Sequence, residues 1–281
     1  MSFKNFIPTV WNANIETKLK EYLVFEEFCN NEYKGEITGA GDSIRFLGVE
    51  RPTILEQNDG GKITLGSPES VKDSAVTMNI MRQAYFNYGM PDIDAAIAKG
   101  NIKGSLSEET TRAVADVIDK NIASVVNDAG AKKLYAGAAI PVITETNVLD
   151  ILDKGLEKLY ENHVPLSETV EVVFTPRFNT IFKKAYTHVD TDNSAMMKNG
   201  LVTYYNTLKC KMSNNVVSSQ DGTTDFLLMR TKKAVGFAKP LTFSEAIRWQ
   251  DEFLDVVRGF TLYDRKILRP NELIVIPVKY A

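Results

Sequence analysis

The stretch DSIRFLGVERPTILEQNDGGKITLGSPESVKDSAVTMNIM, Asp42 to Met81, decides the fold. Asp42–Val49 alternates, with Ile44 and Phe46 on one side, and reads as a strand. The following RPTILEQNDGGKITLGSPES is rich in Gly, Pro and polar residues, and Asn58-Asp59-Gly60-Gly61 is a strong turn signal. A second strand is expected over Asp73–Met81. Together these segments make a long two-stranded ribbon. An isolated hairpin is marginal in water, and this one has little core of its own. Its support is therefore expected from outside the subunit, with Ile44, Phe46, Val76 and Met78 as the apolar side chains suited to covering a neighbour.

Upstream, Pro8 and Trp11 precede Ile15, Leu19, Tyr22 and Leu23, which recur at helical spacing. The helix ends near Cys29–Asn31 and is either a surface helix on its own domain or an arm reaching a neighbour. Downstream, Tyr88-Gly89-Met90-Pro91 breaks the chain and a short helix covers Asp92–Lys99. Ser105-Leu106-Ser107-Glu108 is a capping box, with Ser105 as N-cap. The helix it opens runs to about Ala129, roughly 37 Å at 1.5 Å per residue. Val114, Val117, Ile118, Ile122, Val125 and Val126 form its apolar stripe, and Gly130 stops it.

From Thr144 the pattern becomes mixed α/β. Asn147–Asn162 is a helix with Leu149, Leu152, Leu156 and Leu159 inward, Val170–Phe174 a buried strand, and Pro176 opens a helix to about Tyr186. His188–Gly200 is a polar loop. Strands follow at Leu201–Met212, Phe226–Arg230 and Ala234–Ala238, with Lys232-Lys233 as a hairpin turn. Phe243–Val257 suits either a helix, through Ala246, Trp249, Phe253 and Val256, or strands. Gly259–Leu268 and Glu272–Val278 are two closing strands.

Composition narrows the function classes. The 281 residues carry a net charge of -3, against a free-standing nucleic-acid binder, which would be basic. Two distant cysteines, Cys29 and Cys210, form no disulfide framework and fit a reducing cytoplasm. The N-terminus lacks the basic and apolar regions of a signal peptide, and no stretch reaches the ~20 apolar residues of a membrane span.

Chemistry is hard to find. His188, Asp190 and Asp192 share a loop, but the spacing lacks the Gly and terminal Glu of a calcium loop, so a solvated loop is the better reading. His163 reads as a helix-end residue. There is no Gly-x-Ser-x-Gly elbow, and Gly39-Ala40-Gly41-Asp42 opens no phosphate loop. Glu26-Glu27 and Glu108-Glu109 fall where solvated helix faces are expected. No catalytic, cofactor-binding or metal-binding residue is assigned, and no cofactor is expected.

The order of elements resembles the major capsid proteins of tailed bacteriophages, whose architecture is the Hong-Kong-ninety-seven-type fold shared with encapsulins. Pro8-Thr9-Val10-Trp11-Asn12-Ala13, Tyr33-Lys34-Gly35-Glu36 and Gly41-Asp42-Ser43-Ile44 look like their opening. Lys209–Val217, Asp225–Leu241 and Phe253–Val278 look like their later strands, although Asp264 stands where many relatives have Gly. The resemblance implies an α+β fold: an N-terminal arm at 1–34, an extended two-stranded loop at 35–88, a peripheral domain with a long spine helix at 89–143 and 258–281, and a mixed α/β axial domain at 144–257. It also implies a structural, non-enzymatic protein assembling as pentamers and hexamers into an icosahedral virion shell in the host cytoplasm. The implied partners are further copies of the chain, a scaffolding protein, a portal protein and, optionally, a decoration protein. The scaffold would be separate, because the arm opens within a few residues of Met1. Packaged DNA would be touched only non-specifically, and no membrane would be involved. Three alternatives compete: an encapsulin-like cellular compartment, a cytoplasmic α/β enzyme, and another phage component such as a tail or adaptor protein.

Overall fold

The computed structural model describes residues 23–32, 42–49, 73–91, 102–136, 139–187, 204–205, 207–249 and 253–280. The ribbon tip, the arm before Leu23, the helix expected at Asp92–Lys99 and the loop His188–Gly200 lie outside them.

Two strands, β1 (Ser43–Val49) and β2 (Asp73–Asn79), pair antiparallel with Ser43 opposite Asn79 and Val49 opposite Asp73, as the ribbon reading requires. Its apolar side chains do not wait for a neighbour, contrary to the sequence expectation. Ile44, Phe46, Met78 and Ile80 are buried against Ala238 and Leu262 of the same chain. The Phe46 ring lies where a Cβ on Gly236 would come within 2.7 Å, so glycine there makes room for the ribbon base.

The break expected at Tyr88–Pro91 is instead the end of a strand, β3 (Arg82–Pro91). Gly89 serves packing rather than a turn: a Cβ there would lie 3.0 Å from Leu254 Cδ1. Pro91 ends an edge strand, where its missing N–H costs no ladder bond. Helix α1 spans Ile102–Ala123 and tightens into a 3₁₀ turn at Ser124–Asn127, so Ser105 lies inside it rather than capping it. Its stripe is buried at Val114, Ile118 and Ile122, continuing to Val125 and Val126, but Val117 is 48% exposed and Thr111, Ala115 and Asp119 take the inward positions around it.

After β4 (Lys132–Lys133) come α2 (Val148–Glu161), β5 (Val170–Phe174) and α3 (Pro176–Thr187), close to the boundaries read from sequence. Leu149 is only partly buried, whereas Leu152, Leu156 and Leu159 are in the core. Then follow β6 (Tyr204–Tyr205), β7 (Leu208–Met212), β8 (Thr224–Thr231), β9 (Val235–Arg248), β10 (Leu254–Ile267) and β11 (Leu273–Lys279). Of the ambiguous Phe243–Val257, residues 243–248 and 254–257 are strand, while 250–252 lie outside the described residues. Trp249 and Phe253, at the ends of these strands, are both exposed and join no buried helical stripe.

Two larger sheets result: β3-β10-β9, and β4-β11-β8-β5-β7-β6. Lys232-Lys233 is a turn, as read, but it joins strands of different sheets. The last strand, β11, pairs antiparallel with β8 and parallel with β4, which places it in the sheet of the α/β region. In the β9–β10 ladder Leu262 faces Leu241 while Asp264 faces Ala238, so Lys239 and Pro240 together oppose Tyr263. A bulge suits Pro240, which has no N–H to give. On the other strand of this bulge, Asp264 uses its carboxylate to accept from Met81 N at 3.2 Å.

The two faces of the larger sheet differ in character. Val170, Val172, Phe174, Met229 and Ile276 pack beneath α2 and α3, where the Phe174 ring meets those of Phe178 and Phe182 in tilted contacts, 4.6 and 5.2 Å between centroids. Gly155 of α2 lets the helix approach, since a Cβ would meet Ile276 Cδ1 at 2.7 Å. The opposite face carries the row Lys209, Glu171, Arg230, Leu273 directly across four strands.

The corrected helix stripe makes a direct prediction. Ile118→Asp buries a carboxylate at a fully enclosed position, costs several kcal/mol and gives insoluble or unfolded protein. Val117→Asp changes stability by less than about 0.5 kcal/mol in urea denaturation. Equal damage from both would show that the helix packs on its Val117 side.

Candidate functional site

The most concentrated chemistry lies where the segment Leu23–Asn30 crosses the charged face of the larger sheet. The amphipathic helix expected here is, over the described residues, only a 3₁₀ turn at Glu26–Phe28. Leu23, Phe25, Phe28 and Cys29 are buried. Four elements, α1, β7, β8 and β9, contribute polar ties to the segment. From α1, Asp119 accepts from Val24 N at 3.0 Å and Phe25 N at 3.3 Å. From β8, Arg230 donates through Nη2 to the Phe25 carbonyl at 2.7 Å and through Nη1 to Cys29 Sγ at 3.1 Å. From β7, Lys211 donates to the Val24 carbonyl at 3.0 Å. Lys209 and Lys211 both hold Glu27, at 2.7 and 2.5 Å, and Lys239 of β9 holds Glu26 at 3.2 Å. Asn30 closes the segment with two backbone bonds, its N–H to Val235 O at 2.8 Å and its carbonyl from Phe237 N at 3.0 Å.

Beneath this segment lies Glu171, fully buried, with no hydrogen bond to either carboxylate oxygen. Arg230 Nη2 is 3.9 Å away and Lys211 Nζ 3.5 Å. Burial pushes the Glu171 carboxyl above its ordinary range, against the pull of Arg230 and Lys211. Burial likewise pushes Asp119 up to about 6. Glu27 is held down at about 2 by its bonds to Lys209 and Lys211. The Cys29 thiol is pushed up by burial, which keeps it neutral and inert. Glu26-Glu27 is thus no freely solvated helix face but the acidic half of an ionic junction.

A second feature is the outer face of the three-stranded sheet. Tyr85, Phe260 and Phe243 form one row across β3, β10 and β9. Phe243 and Phe260 lie 5.9 Å apart between centroids. Tyr85 is 79% exposed and Phe243 44%, and Met81, Trp249 and Phe253 add further exposed apolar area at the sheet ends. The other face of the same sheet, through Ala84 and Phe86, packs toward the main core. Phe260, between them, is half-buried and packs against the ribbon-base cluster, so the open apolar area is that of its two neighbours.

The other residues singled out from the sequence stay apart. His163 follows α2 in a left-handed conformation, φ 64°, with its N–H on Tyr160 O, a helix-end role as read. His188, Asp190 and Asp192 lie outside the described residues. Among the described residues, no three His, Cys, Asp or Glu side chains gather as a metal site, and no helix is long and apolar enough to cross a membrane.

No family model matches the chain, and no curated protein matches it by sequence. Solved structures do. A structure from Mycobacterium phage Che8 aligns over 90% of each chain with a TM-score of 0.70 and 23% identity. The capsid structure of the cyanophage P-SCSP1u aligns over 92% of this chain and 89% of its own, at 0.66 and 18%. A virus-like particle from Pyrococcus furiosus covers 96% and 99%, at 0.58 and 9%. The architecture is that of capsid shells. Specifically, it is the Hong-Kong-ninety-seven-type fold, α+β, that the sequence resemblance implied.

The junction has a measurable energetic signature. Removing one partner of a buried ion pair costs about 3–5 kcal/mol, whereas replacing both by apolar groups is often neutral. Arg230→Met is expected to show that loss in urea denaturation. The double change Arg230→Met with Glu171→Leu is expected to recover most of it. A double variant as unstable as the single one would mean that Arg230 acts through Phe25 and Cys29 rather than through Glu171.

Proposed function

We propose that this chain is the major capsid protein of a tailed bacteriophage, a structural protein without an active site that assembles as pentamers and hexamers into the icosahedral shell around the genome. The carrying observation is the fold itself, shared over about nine-tenths of both chains with phage structures, one of them a capsid. The exposed Tyr85 and Phe243, on either side of the half-buried Phe260, support association, because a solitary soluble protein gains nothing by leaving them open. In this reading residues 1–34 are the arm and 35–88 the extended loop. Residues 89–143 with 258–281 form the peripheral domain and 144–257 the axial domain, with β11 reaching across into the axial sheet. A scaffolding protein, a portal and optionally a decoration protein complete the assembly, which takes place in the host cytoplasm.

The Pyrococcus particle favours a second reading, a cellular compartment of the same fold, since it matches the greatest share of both chains among the three structures named. The contents distinguish the two: DNA with portal and packaging genes nearby, or a cargo enzyme.

Electron microscopy of the expressed protein, alone and with the products of neighbouring genes, is expected to show closed shells or five- and six-fold rings. A strictly monomeric species under all salt conditions with its scaffold present would refute the assignment. Tyr85→Ser with Phe243→Ser is expected to leave the subunit folded by circular dichroism while shifting sedimentation toward monomer. Unchanged particles from that pair would remove the aromatic row from the interface.

A further inference from the structure

The junction beneath Leu23–Asn30 has a property that its packing does not require. Two carboxyls, Asp119 and Glu171, lie buried under a short segment that is seated by polar ties as well as by its buried Leu23, Phe25, Phe28 and Cys29. We propose that Leu23–Asn30 is a releasable clasp whose hold weakens when these two carboxyls give up their protons, so that it is closed in mildly acid solution and loosened at and above neutral pH.

Burial sets the direction, against the two amide bonds onto Asp119 and the cations beside Glu171. Asp119 faces the Val24 and Phe25 amides and negative Glu26 from the clasp, Asp116 from its own helix, and Arg230 from β8. Asp116 is itself bonded to Lys120 and to Asn215 of the β7–β8 connection, so it offers no proton of its own. Glu171 faces Arg230, Lys209 and Lys211 from the sheet and has the clasp's Cys29 and Phe25 above its partner Arg230. Lifting the clasp returns water to both carboxyls.

A carboxyl that holds its proton more tightly in the closed state favours closure fully below its free pKa and loses that contribution as pH rises through the closed value. For Asp119 that window runs from the ordinary carboxylate range, about 3.9, to about 6. Glu171 has the same sign, raised first by burial. Glu27 has the opposite sign: its pairing with Lys209 and Lys211 is present above the ordinary range and lost as pH falls toward about 2. Between pH 5 and 7.5, in round figures, Glu27 is ionised whether the clasp is open or closed. The response in that interval therefore belongs to Asp119 and Glu171.

Cys29 is the reporter the fold supplies, because it is fully buried while the clasp is closed. With Cys210→Ser, it is the only remaining thiol of the chain's two cysteines. Its modification rate by a small thiol reagent, divided by the rate in the urea-unfolded chain at the same pH, gives the protection. For Asp119 alone, protection is expected to fall about tenfold from pH 5 to pH 7.5. Asp119→Asn combined with Glu171→Gln, neutral at every pH, is expected to flatten the profile. Hydrogen exchange of the 23–30 amides in the unmodified full chain, corrected for intrinsic rates, should show the same fall without any variant. Protection that stays constant with pH in both readouts, or a double variant that keeps the full fall, overturns the proposal. The measurement is made on the dissociated subunit and does not depend on whether shells form.

Discussion

The pairing of β9 with β10 is the constraint on which the rest of the molecule depends. It runs from Asp255–Arg248 to Ile267–Val235, and each neighbour takes its position from a particular part of it. β3 adds along one edge, from Leu254–Pro91 to Tyr263–Arg82. The ribbon base lies over Ala238 and Leu262. Asn30 bridges to Gly236. Arg265 reaches the end of α1, donating to Ser124 Oγ at 2.8 Å and pairing with Asp128. The bulge at Lys239–Pro240 bends this pair between its two jobs, extended sheet on one side and ribbon support on the other.

The larger sheet divides its labour between faces. Its apolar face supplies ordinary core burial beneath α2 and α3. Its charged face is filled by a peptide segment, and there the cost of desolvating Arg230 and Asp119 is met by directed bonds to backbone atoms of that segment, while Glu171 has only the nearby cations Arg230 and Lys211. Such bonds add little net stability but discriminate strongly between a seated and a displaced segment.

Elements whose partners lie within one helix or one short strand were legible in the sequence. α2, β5 and α3 carry their periodicity locally, and the VEVVF run and Pro176 mark where β5 and α3 begin. The ribbon was legible through its turn residues, but not the target of its apolar side chains, because Ala238 and Leu262 lie far along the chain from Phe46 and Ile44. β3 was hidden by Gly89 and Pro91, whose turn signal is overridden by packing on Leu254. Phe243–Val257 satisfied two periods at once, and only the presence of a partner strand decides between them. The ionic junction was not legible at all. Glu171, Arg230 and Asp119 are single charged residues in apolar surroundings, and only the strand register sets Lys209, Glu171 and Arg230 side by side.

The position of β11 governs how the chain acquires its structure. Leu273–Lys279 lies inside its sheet, between β4 and β8, although every other strand precedes it in the sequence. During synthesis the sheet keeps an open seam until these residues leave the ribosome, since β4 bonds only to β11 among the described strands. Contacts joining Lys132 to Ile274 and Tyr85 to Phe260 demand that long stretches close before any reward is gained, which makes folding slow and exposes unpaired edges meanwhile. A nascent chain of this topology has reason to depend on chaperones, and truncation from the C-terminal side removes an interior strand rather than trimming a tail.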